Sequence, residues 1–184
     1  MEELDVLDEN GNKTGIKKLR KLVHRDGDWH KTAFIFVVND KGEIILQKRS
    51  QEKENDPNKW TASASGHLSA GDTDTEGAMR ELSEEIGIKI NENELNYLIT
   101  VREQCDMPEK NMKIRHISNI YVVFKNTKAE DLKLQKEEVS EVKYVYYKDF
   151  EKMLTENKKE IVKHDEIYST LLKYLHEKFD NTTI

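Results

Sequence analysis

The chain of 184 residues holds a single cysteine, Cys105. One thiol closes no internal disulfide and offers no multi-cysteine zinc site, so stapled and zinc-ribbon architectures are excluded. The setting expected for it is reducing and cytoplasmic. Nor does any apolar run approach the 18 or so residues of a membrane span. The first residues, Met1-Glu2-Glu3-Leu4-Asp5, are acidic and lack the apolar segment of a secretory leader. A basic excess is missing too. The formal net charge is -6, which argues against broad binding to nucleic-acid polymers. It leaves phosphate-bearing small molecules open, because a few local cations and a metal can hold a polyanion. Internal repeats and low-complexity linkers are likewise absent.

What remains is enough for a core. Hydrophobic and charged residues each make up 36%, which predicts a heavily solvated surface around a packed interior. Runs such as Phe34-Ile35-Phe36-Val37-Val38 argue against disorder. The length suits one domain over residues 1–184, with a core about 1–150 and a helical extension about 155–180.

Strand patterns are expected at 33–38, 43–49, 96–104, 116–125 and 141–147, rich in Val, Ile and Tyr. Residues 2–16 read as a strand entering a hairpin, and Asn39-Asp40-Lys41-Gly42 as a hairpin connection. Residues 17–31 read as basic and then turn-rich. A helix is expected from Thr73 to Ile86, with Thr73 and Glu76 as a capping box and Gly87 at the C-terminus. A short helix is expected near 148–155. An amphipathic one is expected over 159–179, its apolar stripe including Ile161, Ile167, Leu171 and Leu175. The fold class is α/β in the α+β sense, a mixed sheet between helices.

The stretch GHLSAGDTDTEGAMRELSEEIGI, Gly66 to Ile88, carries the chemistry. At about 100° per residue, Glu81, Glu84 and Glu85 fall on one helical face. Three clustered carboxylates repel one another unless a cation sits among them. Oxygen-only ligands suit a hard ion, magnesium or else manganese. Ala78, Leu82 and Ile86 form the neighbouring apolar face. Arg80 precedes Glu84 by one turn and can orient it, and Gly66 and Gly71 allow close backbone approach to a ligand.

This spacing resembles the Nudix box: Gly, five residues, Glu, seven residues, then Arg-Glu-apolar-x-Glu-Glu-x-Gly-apolar. Gly66 takes the first position, and Arg80 to Ile88 fill the last nine without a mismatch. Asp72 stands where the pattern has its first glutamate. The resemblance implies a magnesium-dependent hydrolase that cleaves a diphosphate link in a nucleoside diphosphate derivative. It further implies Glu81, Glu84, Glu85 and the Gly66 carbonyl as metal ligands, and Arg80 as the residue orienting the carboxylates. A small-molecule diphosphate is then the partner, and a homodimer is allowed.

A finer resemblance is to the branch containing isopentenyl diphosphate isomerase and the Nudix domain of plant proteins with a dipeptidyl-peptidase-like domain. It is carried by Val23-His24-Arg25-Asp26-Gly27, His30, Leu46-Gln47-Lys48-Arg49-Ser50, Ala64-Ser65-Gly66-His67-Leu68 and Leu134 to Val142. Ser65 stands where the isomerase has its cysteine. Arg115-His116-Ile117-Ser118-Asn119 stands where it has a glutamate pair. With both proton-transfer groups missing, hydrolysis is expected rather than isomerisation. An isoprenyl diphosphate as substrate and a non-catalytic nucleotide sensor are the alternatives.

Lys48, Arg49 and His67 are candidate substrate contacts. His24, His30 and His67 align roughly with the isomerase's metal-binding histidines. Without their acidic partners they read as satisfied loop histidines rather than a second metal site. Trp29 and Trp60 read as core, and Glu137, Glu138 and Glu141 as solvated charge. Loops 24–32, 50–60 and 104–116 are expected to read the substrate.

Overall fold

Alternation along one strand sets the layers. In β3 (His30–Val38), Phe34, Phe36 and Val38 enter one apolar core, and Ala33, Ile35 and Val37 enter another. Successive strand side chains point to opposite faces, so a strand apolar at both parities belongs inside a sheet covered on both sides. The computed structural model, which describes residues 2–180, has that arrangement.

A two-stranded antiparallel ribbon, β1 (Glu3–Leu7) and β2 (Lys13–Leu19), leads into α1 (Arg20–Asp26). After β3 come β4 (Glu43–Arg49), β5 (Trp60–Thr61), β6 (Ala64–His67) and α2 (Asp74–Ile86). Then follow β7 (Asn96–Met107), β8 (Met112–Phe124), β9 (Val139–Tyr146), α3 (Tyr147–Glu156) and α4 (Asp165–Asp180). The main sheet runs β5-β4-β3-β8-β7, with β6 added to β3 and β9 to β4. Among the described strands only β3 and β8 pair with each other in parallel, from His30↔His116 to Val38↔Phe124, so the sheet is mixed.

Two helices cover opposite faces. Ala78, Leu82 and Ile86 of α2 are fully buried against Ala33, Ile35 and Val37. Ile167, Tyr168, Leu171, Leu172 and Leu175 of α4 pack with Phe34, Phe36 and Ile120. Each such aliphatic side chain contributes about 1.5–3 kcal/mol on burial, which fixes the register of α4.

One departure from regularity opens the functional cleft. β3 and β4 pair only at Val38↔Ile44 and then part. Beyond that point β3 takes β6 as its partner, while β4 takes β9 and β5. The Ser63 hydroxyl bridges the split, accepting from the Val37 amide at 2.7 Å and donating to the Ile45 carbonyl.

Two expected boundaries differ. The stretch expected to be only basic and turn-rich contains α1, closed by Gly27 at φ 78° and anchored by the fully buried Val23. The C-terminal helix begins at Asp165, not 159. Residues 161 and 162 are instead drawn onto the sheet: Ile161 forms a parallel bridge with Trp60, and the Val162 amide donates to the Trp60 carbonyl at 2.9 Å. Trp60 itself is core, as its sequence context suggested.

Candidate active site

Helix α2 is held firmly at both ends. The Thr73 hydroxyl accepts from the Glu76 amide at 3.2 Å, and the Glu76 carboxylate accepts from the Thr73 amide at 3.0 Å. Together they satisfy two of the amides that a helix start leaves free. At the other end Gly87 adopts φ 77°, and the late loop adds backbone bonds from Lys133 to Ile86 and from Gln135 to Glu85. A helix pinned this way positions its acidic face.

That face is unusual in its burial. Glu81 is 8% and Glu85 is 5% exposed, whereas the Glu84 side chain is 53% exposed. The Glu85 carboxylate accepts from the Gln47 side chain at 2.8 Å and from the Ser65 amide at 2.9 Å. Burial pushes its pKa up to about 8, and the nearby Glu81 adds to the push. Burial likewise raises Glu81 to about 7, against the pull of Arg80. Arg80 is the hub on the outer side. One nitrogen donates to Glu81 at 2.7 Å and Glu84 at 3.1 Å, and the other to Asp72 at 3.1 Å and the His67 carbonyl at 3.0 Å. Asp72 thus meets the arginine from the position where the box pattern has glutamate. Of these two buried carboxylates, Glu81 meets the partly exposed Arg80, while Glu85 has no cationic partner in direct contact among the described residues. Such a donor set fits a hard divalent cation.

Gly66 has a steric reason to be glycine. A Cβ there would lie 2.2 Å from one Glu81 carboxylate oxygen and 2.8 Å from the other. The colliding atoms end a flexible side chain, so the fold would adjust and Glu81 would give way. Gly66→Ala is therefore expected to weaken magnesium binding by about tenfold or more while Tm falls only a few degrees. Magnesium titration calorimetry beside thermal denaturation checks this, and unaltered affinity would sink it.

The carboxylates open onto a cavity of about 930 Å³ in the split between β3 and β4. Arg49 lines it and has no carboxylate partner among the described residues; its guanidinium donates twice to the Asn55 carbonyl, at 3.1 and 2.8 Å. Burial pulls its pKa below the usual arginine range, opposed by Glu85. His67 lines the cavity as well. Lys48 does not: it pairs with Glu141 at 3.7 Å and stands over the Trp60 ring. Glu138, read as solvated charge, faces the cavity and pairs with Lys53.

The histidines are not loop residues. His24 lies in α1, His30 in β3, His67 in β6 and His116 in β8, and one ring nitrogen from each falls within 4.8 Å of the others. His24 Nε2 is 3.3 Å from His30 Nε2 and 3.2 Å from His67 Nε2. A tetrahedral zinc with bonds near 2.05 Å sets its nitrogens about 3.3 Å apart. His30 Nδ1 donates to the Asp28 carbonyl at 2.9 Å, which leaves its Nε2 bare. His116 Nε2 is buried without a partner among the described residues. Burial lowers His24 and His30 to about 4, and His67 and His116 well below the usual value, so all four are neutral donors at pH 7.

The model of the NUDIX domain matches residues 28–165. The chain belongs to the Nudix family. Its class is that of hydrolases acting on phosphorus-containing anhydrides. Over 167 residues it is 36% identical to Nudix hydrolase 3 of Arabidopsis thaliana, covering 89% of this chain but only 22% of that longer protein. It is 30% identical to isopentenyl-diphosphate Delta-isomerase 1 of Photorhabdus laumondii, covering 85% of this chain and 86% of the relative. The crystal structure of DR0079 from Deinococcus radiodurans superposes with a TM-score of 0.71 at 19% identity, over 95% of this chain and 99% of that one. At that identity the likeness concerns the fold alone.

In this Nudix chain the structure brings Gly66, Arg80, Glu81, Glu84 and Glu85 together around one cavity, with Arg49 and His67 on its walls. All three segments expected to read the substrate, 24–32, 50–60 and 104–116, line the cavity, the last through the ends of β7 and β8 rather than as a loop. Sequence reasoning missed His116, Glu103, and the segment 162–165, all of which line the cavity. His116 had one available signal. It stands where the isomerase branch keeps carboxylates, and histidine is also a metal-binding residue type.

Proposed function

We propose that this protein is a cytoplasmic, magnesium-dependent pyrophosphohydrolase of nucleoside diphosphate derivatives, with manganese as an alternative ion. The observation that carries the reading is the pair of buried carboxylates, Glu81 and Glu85, beside a cavity of about 930 Å³, roomy enough for a whole nucleoside diphosphate derivative. Magnesium, when bound, supplies neutralisation of diphosphate charge and a more acidic water. Glu81, Glu84 and Glu85 would hold it, with the Gly66 carbonyl as a further oxygen donor. One of the two buried carboxylates takes the proton from the attacking water. Arg80 keeps Glu81 and Glu84 oriented. Arg49, with no carboxylate partner among the described residues, anchors the departing phosphate side. The test is release of phosphate or monophosphate from ADP-ribose, nucleotide sugars, nucleoside triphosphates, CoA and isopentenyl diphosphate, with magnesium and with chelator. Magnesium-dependent turnover of a panel member supports the hydrolase. Binding without release would favour the sensor.

We further propose that His24, His30, His67 and His116 hold a transition metal. An all-nitrogen donor set favours zinc or its neighbours over magnesium. Metal content of the protein, purified without chelator, checks this. About one zinc-class ion per chain is expected in the wild type, and much less in His30→Ala.

A further inference from the structure

The cavity has a wall that diphosphate chemistry does not use. It is built by His164, just ahead of α4, and by Glu103 of β7. His164 Nδ1 lies 2.6 Å from a Glu103 carboxylate oxygen. The imidazole meets Phe34 edge to face at 4.7 Å between centroids, and Tyr168 at 5.9 Å. The ring is thus fixed on three sides. A carboxylate accepts, so Nδ1 carries the proton, and Nε2 is the one polar atom left over. No described residue bonds to it. Glu103 stands opposite His116 across the β7–β8 ladder. It therefore rises from the same sheet face as Thr32 and Ser118, whose hydroxyls bond to each other at 2.7 Å beneath the cavity. Phe34 supplies an apolar plane between these polar groups.

Such a wall is poorly suited to hydrocarbon. A prenyl chain laid against it would desolvate the Glu103 carboxylate and the spare imidazole nitrogen and give nothing back, weakening binding by about tenfold or more. A hydroxyl- or amide-bearing group can bond to Nε2 while its ring or sugar face covers Phe34. We infer that His164, set by Glu103, is a specificity residue: it hydrogen-bonds the polar organic group attached to the diphosphate and discriminates against an isoprenyl chain. The inference rests on the diphosphate reading of the site, though not on turnover.

The test is calorimetry with magnesium and two non-hydrolysable probes, α,β-methylene-ADP and methylenediphosphonate, which lacks the nucleoside. The ratio of their affinities is expected to fall about tenfold in His164→Ala and several-fold in Glu103→Gln. His164→Phe keeps a ring against Phe34 and should show the same fall, which covers failure of the alanine variant to fold. Equal weakening of both probes would mean a structural role and overturn the inference. So would an unchanged ratio, or tighter wild-type binding of a prenyl phosphonate than of α,β-methylene-ADP. If the wild type binds neither probe, the diphosphate reading falls and takes this inference with it.

Discussion

Glu85→Gln is expected to cut kcat by about a thousandfold or more while leaving the fold at least as stable. The two halves of that expectation have separate causes. Glu85 is 5% exposed, and one of its oxygens accepts from both the Ser65 amide and the Gln47 side chain. A glutamine carbonyl oxygen can accept both bonds, so the local network survives. Burial has already raised the Glu85 pKa to about 8, which means that the folded protein disfavours its charge. A neutral isostere removes that penalty and also relieves repulsion with Glu81. Magnesium reverses the comparison, because only the wild type gains from ionising. Thermal denaturation should therefore show a variant Tm equal to or above the wild type in chelator. In excess magnesium the variant should lie below it. Retention of more than about a tenth of wild-type kcat would remove Glu85 from the chemistry, since loss of a general base or metal ligand costs far more.

The legible parts of this molecule were those written in local period. The box helix announced itself through three carboxylates on one face, Ala78, Leu82 and Ile86 on the next, and a capping box that forms as expected. Strand β3 was visible as an apolar run. Its double burial, however, is a property of the sheet and depends on helices far along the chain. The C-terminal helix illustrates the limit. Ile161 continues an apolar stripe, yet its bridge to Trp60 overrides the stripe and delays the helix to Asp165. That delay leaves His164 free to reach Glu103 over the cavity. Helix α1 was hidden because seven residues with one fully buried side chain carry almost no periodic signal. Of the four clustered histidines, the resemblance singled out His24, His30 and His67, and their convergence with His116 was hidden for a related reason. They belong to four elements, and the parallel pairing of His30 with His116 is set by a crossover of more than seventy residues that no local pattern encodes.

Zinc added to metal-free protein is expected to raise Tm by about 10 °C. A ligand that binds only the native state stabilises it by about 4 kcal/mol when its free concentration is a thousand times Kd. In a chain of this length each kcal/mol moves Tm by about 2–4 °C. The position of the histidines makes the gain credible. The N-terminal region has only a small core of its own, formed by Leu4, Val6 and Val23. One metal would tie α1 to β3, β6 and β8 at once, fastening the small core of the N-terminal region to the sheet. Unfolded chain offers the same imidazoles without the geometry, so most of the binding energy would appear as folding energy. His30→Ala should lose most of the shift, since it removes a nitrogen that the Asp28 carbonyl holds in place. His116→Ala should lose less, leaving three imidazoles and room for water as the fourth ligand. Any magnesium shift, which would come from the carboxylates, should persist in His30→Ala and His116→Ala, because four neutral nitrogens offer a hard cation little. A zinc shift that survives unchanged in both variants would place the binding elsewhere and leave the four imidazoles as a packed, metal-free cluster.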